Sequence, residues 1–124
     1  MKELTKAEDQ VMQILWQLKK AFVHDIIAEM PEPKPAYNTV STIVRILEKK
    51  GFVAYEAYGK SHQYYPIVEK DAYSNFFLTG VISNYFNGSL GNLVSFFAKE
   101  HNLDVKDLDE IMSHVKEEIK PEDK

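Results

Sequence analysis

Along residues 5–50, apolar positions recur every three or four residues in blocks punctuated by proline, glycine and charge, which is the period of helices burying one face. Thr5 and Glu8 have capping-box spacing, and Ala7, Val11, Ile14, Leu15 and Leu18 then form a stripe with Trp16 near its edge, predicting a helix over 6–18. Ala21-Phe22-Val23 has the length of a short strand, and His24 to Met30 reads as a second helix burying Ile26, Ile27 and Met30. Pro31, Pro33 and Pro35 end it, because each fixes its own φ and disfavours helix in the residue before it. The segment PEPKP is therefore a stiff turn. A third helix follows, with Val40, Ile43, Val44 and Leu47 on one face. Gly51 suits its left-handed end, after Lys49 and Lys50, whose charges favour a helix C-terminus.

The period then changes. Phe52-Val53-Ala54-Tyr55-Glu56-Ala57 and His62-Gln63-Tyr64-Tyr65 are β-prone and rich in aromatics, and Tyr58-Gly59-Lys60-Ser61 between them carries a turn glycine. This predicts a hairpin whose tip presents Lys60 and Ser61, with His62 at its margin. From Asp71 the chain turns aromatic and acidic and predicts three more helices. The first, about 70–86, gathers Tyr73, Phe76, Phe77, Gly80, Val81 and Tyr85, and Asn87-Gly88-Ser89 breaks it. The second, about 90–101, carries Leu90, Leu93, Val94, Phe96 and Phe97. Asp104, with Asp107 three residues later, caps the last, in which Leu108, Ile111, Met112, Val115 and Ile119 share a face.

The third helix is the element with chemistry on it. Opposite its apolar face stand Asn38, Ser41, Thr42, Arg45 and Lys49, a row of short hydrogen-bonding groups ending in cations, while Thr39 lies at the boundary and Glu48 toward the flank. Short polar side chains permit close approach to base edges, and a face of this width fits the major groove of DNA. Taken alone, such a face also describes an ordinary solvated amphipathic helix. Followed directly by a hairpin with a lysine at its tip, it is the arrangement of a winged helix-turn-helix, with Lys60 placed for the phosphate backbone.

The net charge of -4 counts against nucleic acid until its distribution is considered. Residues 1–70 hold 10 Lys and Arg against 9 Asp and Glu, and residues 71–124 hold 5 against 10, so the acidity belongs to the C-terminal part. Within 34–60, Lys34, Arg45, Lys49, Lys50 and Lys60 face only Glu48 and Glu56, a local +3 available to phosphates. That attraction is modest, and useful affinity then calls for two copies.

Catalysis finds little support. The chain has no cysteine, which removes disulfides, thiolate metal sites and thiol nucleophiles together. His24, His62, His101 and His114 stand in different elements without H-E-x-x-H spacing, and no phosphate-binding glycine loop, nucleophile elbow or carboxylate pair is visible. No enzyme activity, metal or cofactor is expected. The N-terminal segment lacks the apolar core of a signal peptide and no stretch has the apolar length of a membrane span, so a soluble cytoplasmic protein without membrane insertion is expected.

At this point the chain resembles a known family, the penicillinase repressors, or BlaI/MecI/CopY regulators. The resemblance rests on LTKAE with VM and LW in the first helix, on YNTVSTI followed by L-EKKGFV, and on the GK turn leading to YY-P. It is strong over residues 4–67 and one of pattern beyond. It implies that Asn38, Thr39, Ser41, Thr42 and Arg45 face the groove and that Lys60 sits on the wing. Members often carry a basic pair where Arg45 and Ile46 stand, so Ile46 removes one cation here. Copper-sensing relatives add a C-terminal cysteine cluster, which this chain lacks. Relatives are cut in the helix matching 90–101, often between Asn and Phe, and the matching pair here is Phe96-Phe97. The resemblance also implies control by a membrane sensor protease, in β-lactam resistance or another stress response.

The expectation is thus a mostly α protein with a small β-hairpin wing: a winged helix-turn-helix over 1–69 followed by a three-helix dimerisation region over 70–124. DNA-contacting residues would be Asn38, Thr39, Ser41, Thr42, Arg45, Lys49 and Lys60. So many large apolar groups on short helices exceed what a segment of that length can bury alone, and a second copy can cover them. Tyr73, Phe76, Phe77, Leu93, Phe97, Leu108, Ile111, Met112 and Val115 are the expected dimerisation residues; a compact monomeric cap is the alternative. The expected function is repression as a homodimer on a pseudo-palindromic double-stranded operator, relieved by proteolysis. A protein-interaction adaptor that has lost DNA binding is the competing reading, motivated by the acidic total and by Ile46.

Overall fold

The computed structural model describes residues 1–120. The elements run α1 (Lys6–Leu18), α2 (Val23–Ala28), α3 (Tyr37–Lys49), β1 (Val53–Tyr58), β2 (Ser61–Pro66), α4 (Lys70–Tyr85), α5 (Leu90–Glu100) and α6 (Val105–Glu118). Two compact units divide them, Met1–Leu78 and Thr79–Lys124, with the last four residues of the second lying outside the described part.

In the first unit, α1 starts where the sequence places it. The Thr5 hydroxyl accepts the Glu8 N–H and the Glu8 carboxylate accepts the Thr5 N–H, satisfying two donors that a helix N-terminus leaves open. Val11, Met12, Ile14 and Leu15 are buried, whereas Ala7, expected on that stripe, faces solvent. The short strand expected at 21–23 contracts to one bridge between Ala21 and Tyr64. The reason is local: the Asp25 carboxylate accepts the Phe22 N–H and the Phe22 carbonyl accepts from Asp25 and Ile26, so the chain is already turning into α2 at Val23. The α2 helix also ends earlier than expected, at Ala28. Met30 is buried beyond that end, and the Lys34 ammonium donates to the Ala28 and Met30 carbonyls.

Helix α3 buries Val40, Val44 and Leu47 completely, with Ile43 partly covered. It ends in a Schellman motif: Phe52 N–H donates to the Leu47 carbonyl at 2.9 Å and Gly51 N–H to the Glu48 carbonyl at 3.0 Å, with Gly51 at φ 83°. Leu47 and Phe52, which bracket this turn, are both fully buried. The strands pair antiparallel from Val53↔Pro66 to Tyr58↔Ser61, leaving Gly59 and Lys60 as a two-residue turn. Gly59 at φ 62° occupies the first central position, the place where a hairpin turn of this kind needs a left-handed residue.

Tyr73 corrects the expected division of labour. Its ring is 7% exposed, packed 5.8 Å from Phe52 and 6.1 Å from Trp16, and its hydroxyl accepts the Leu4 N–H at 2.8 Å. Trp16 in turn donates to the Val68 carbonyl at 2.9 Å. Tyr73 is thus a core residue of the first unit, with Phe76 packed against the same core, and that unit runs past residue 69 to Leu78.

In the second unit, Asn87 and Gly88 adopt φ of 53° and 75° and end α4, as the Asn-Gly-Ser break predicts. The Ser89 hydroxyl caps α5 by accepting the Asn92 N–H, and Asp104 and Asp107 form a reciprocal box at the start of α6. Ala98 is buried in α5, while α6 has no buried residue.

Candidate nucleic-acid interface

Complete burial of Val40, Val44 and Leu47 fixes the rotation of α3 and so decides which residues it offers outward. Asn38, Thr39, Thr42, Arg45 and Lys49 are exposed and Ser41 is half-buried. Thr39, which the helical wheel leaves at the boundary, stands in solvent. Within this face the Thr42 hydroxyl donates to the Asn38 carbonyl at 2.8 Å, which occupies its hydrogen and leaves its lone pairs and methyl to face outward. Arg45 Nε donates to the Ser41 carbonyl at 3.3 Å, and among the described residues its side chain has no other hydrogen-bond partner, so the outer guanidinium nitrogens remain as a fork.

The wing comes to the same face. Ser41 and Arg45 of α3 share a hollow of about 230 Å³ with Lys60 and His62 of the hairpin, lined also by Val23, Tyr37 and Tyr64. Asn38, Thr39 and Lys49 stand on α3 outside this hollow. Tyr64 is buried, and burial pushes its phenol above the usual range, with the nearby Glu48 charge adding to the shift. It remains a neutral hydrogen-bonding group beneath the cations.

One sequence expectation changes here. Lys50, counted among the cations available to phosphate, places its ammonium 2.7 and 2.9 Å from the two carboxylate oxygens of Glu8, so its charge is spent inside the fold. Ile46, the position where relatives often carry a second cation, is 39% exposed. It stands one turn beyond Thr42 on the outward side of α3, offering an apolar surface. Tyr37 and His24, whose rings lie 4.8 Å apart at the edge of this region, were not assigned roles from sequence; the aromatic that opens YNTVSTI was the available signal for the first. Among the described residues no group of three His, Cys, Asp or Glu side chains could hold a metal ion, and no helix is long and apolar enough to cross a membrane.

The residues assigned to self-association divide. Phe97, Ile111, Met112 and Val115 are exposed, as is Phe77, whereas Leu93 and Leu108 are partly covered and Tyr73 is buried. Phe96 and Phe97 are each 52% exposed.

A buried-face helix rotated to show hydrogen-bonding groups and an arginine fork, with a lysine-tipped hairpin beside it, defines a winged-helix DNA-binding regulator. Comparison with known proteins narrows the class. Residues 4–117 match the model of the penicillinase repressor family. The methicillin resistance regulatory protein MecI of Staphylococcus aureus (strain N315) is 30% identical over 110 residues, spanning 88% of this chain and 89% of the relative. The penicillinase repressor of Bacillus licheniformis is 22% identical over 116 residues, spanning 93% and 91%. A solved CopR repressor structure, 33% identical, covers 55% of this chain and 100% of its own with a TM-score of 0.45. The chain belongs to the penicillinase repressor family. Its members are transcriptional repressors, not enzymes.

Proposed function

We propose that the chain represses transcription as a cytoplasmic homodimer, laying one α3 in each of two successive major grooves of a pseudo-palindromic operator. The observation carrying this reading is the outward row Asn38, Ser41, Thr42, Arg45 and Lys49 on a helix that buries Val40, Val44 and Leu47 completely, with Lys60 of the wing joined to Ser41 and Arg45 in one hollow. The Arg45 fork suits the paired acceptors of a guanine, and Ile46 suits a thymine methyl. Lys49 and Lys60 serve phosphates. In this reading Thr39 contacts the backbone at the entry to the groove.

Dimerisation is assigned to the second unit. Leu90, Val94, Phe96, Phe97, Ile111, Met112 and Val115 are large, apolar and exposed on it, more than an isolated surface of this size leaves to water. A second copy covers them. Induction would follow from cutting at Phe96-Phe97 by a pathway that a membrane sensor protease begins, separating the last helix from the rest of the chain.

The test is affinity for the promoter of the chain's own gene, measured at several salt concentrations. Arg45→Ala and Ser41→Ala should relax sequence preference at a cost of about 1–3 kcal/mol per lost base contact, whereas Lys60→Ala should weaken all sequences alike and flatten the salt dependence. An intact protein with no salt-dependent DNA binding would leave the adaptor reading in its place.

A further inference from the structure

Beside the hollow that holds Arg45 and Lys60 lies a second one, of about 380 Å³, between the start of α2, the start of α3 and the hairpin turn. His24 and His62 both line it, together with Tyr37, Tyr58 and Ser61. His62 borders the first hollow as well and so joins the two. Neither imidazole is used by the base-reading face. His24 is exposed on the first turn of α2, its ring 4.8 Å from Tyr37. The His62 ring is stacked on Tyr55, centroids 3.9 Å apart and planes 7° from parallel, which fixes its plane and leaves it partly exposed.

When a helix of this kind enters the major groove, the preceding helix crosses the sugar-phosphate backbone and the wing lies along it. The second hollow is formed by those two elements. We propose that His24 and His62 are phosphate-contacting residues of the DNA interface, so that operator binding takes up protons. This rests on the DNA-binding reading above.

The charged and titratable surroundings support a cationic role. From the hairpin, Lys60 adds positive charge and Tyr55, Tyr58 and Tyr64 add phenols; Tyr58 donates to the Glu56 carboxylate at 2.7 Å. From α3 come Tyr37 and Arg45, with Glu48 near Tyr64. From α2 comes Asp25, one of whose carboxylate oxygens accepts the Phe22 N–H. Asp25 is the one acid on this hollow's wall among the described residues, and no ion pair joins it to His24 or His62. A DNA phosphate is then the anion that favours the charged form, and a protonated His62 also gains against the Tyr55 face. Imidazole titrates between pH 5 and 8. Binding that prefers the protonated form is strongest on the acid side of that window and weakens as pH rises through it.

The experiment measures affinity of the full-length protein for promoter DNA from pH 6 to 8 at constant ionic strength. Wild type should lose severalfold across this range, with about tenfold the ceiling for each imidazole displaced by one pH unit on binding. His24→Gln and His62→Phe, the second keeping the stack on Tyr55, should each reduce the loss, and the two together should remove it. The log-log salt slope of wild type should also be steeper at pH 6 than at pH 8, by up to about 0.9 for each phosphate engaged by an imidazolium. His62→Lys should lose less affinity than wild type between pH 6 and pH 8, keeping only the share due to His24, and with His24→Gln added it should hold at pH 8 the affinity it has at pH 6; replacing His101 and His114 together should leave the wild-type profile in place. Salt-dependent binding that does not vary with pH, or a profile that survives the double replacement, would overturn the histidine assignment alone. Loss of salt-dependent binding at every pH would overturn the DNA reading with it.

Discussion

Lys50→Met tests whether the end of the reading helix is tied to α1 by charge. In the folded chain the Lys50 ammonium meets both Glu8 oxygens, at 2.7 and 2.9 Å, with side chains 23% and 7% exposed. Burial is the largest influence on the Glu8 carboxyl and pushes it up, but the Lys50 hydrogen bond, the Thr5 backbone N–H, the Lys50 charge and the Thr5 side chain together hold it below its ordinary 4.5. Removing one partner of a buried pair costs about 3–5 kcal/mol. Here water reaches Lys50 and Thr5 still donates to Glu8, so Lys50→Met should cost about 2–3 kcal/mol, below that range. Glu8→Gln keeps the Thr5 contact and frees Lys50 to solvent, and should cost about 1 kcal/mol. The double variant should fall short of the sum by at least about 1 kcal/mol. Urea unfolding followed by the fluorescence of Trp16, the single tryptophan, reports on this unit directly. Because the folded-state value of Glu8 is depressed, its stabilisation is complete above 4.5 and disappears as pH falls through the lower folded value. Acid should therefore cost wild type more than Glu8→Gln. Additive single effects, with equal acid sensitivity, would refute the pairing.

The other expectations concern the core, the wing and the second unit. Tyr73→Phe should cost about 1 kcal/mol through its lost bond to Leu4, and Tyr73→Ala about 3–5 kcal/mol. A chain ending at residue 70 should accordingly lose the cooperative Trp16 transition that one ending at residue 78 keeps. Gly59→Ala meets no atom within 4 Å yet must hold φ 62°, so it should destabilise by roughly 1–2 kcal/mol, with Gly59→Asn milder, as urea unfolding will show. Sedimentation of the intact protein should give two chains, reduced to one by Phe97→Asp with Val115→Asp; an intact monomer would reject the second copy as the cover for these residues.

What could be read in advance was what neighbouring residues settle among themselves. The Thr5–Glu8 and Asp104–Asp107 boxes, the helix end at Gly51 and the Gly59 turn each close within a few residues, and each is present. The rotation of α3 was equally legible, since Val40, Val44 and Leu47 define one face at helical period. Contacts between distant residues were not. Glu8 meets Lys50 across 42 positions, Trp16 meets Val68 across 52 and Leu4 meets Tyr73 across 69. Nothing in a periodic pattern distinguishes an aromatic that packs on its own unit from one left for a partner, which is why Tyr73 was assigned outward. A count of cations treats every lysine as free, and Lys50 was misplaced for that reason.

Correcting that count changes how the interface must work. With Lys50 bound to Glu8 and the Lys34 ammonium held at the Ala28 and Met30 carbonyls, the cations of the local segment that stand on α3 and the wing without a carboxylate partner among the described residues are Arg45, Lys49 and Lys60. With Arg45 given to a base, Lys49 and Lys60 neutralise one phosphate each, so one module carries a salt slope of only about 1.8, and a pair about 3.6. A single module with so little charge, in a chain whose second half is acidic, binds weakly. Joining two such modules multiplies their affinities through effective concentration without any new contact. On the proposed reading, this makes the second unit the natural point of control: severing it at Phe96-Phe97 leaves residues 1–78 folded and each reading helix unaltered, yet removes the linkage on which occupancy depends. Control at that distance requires no change in the groove-facing residues.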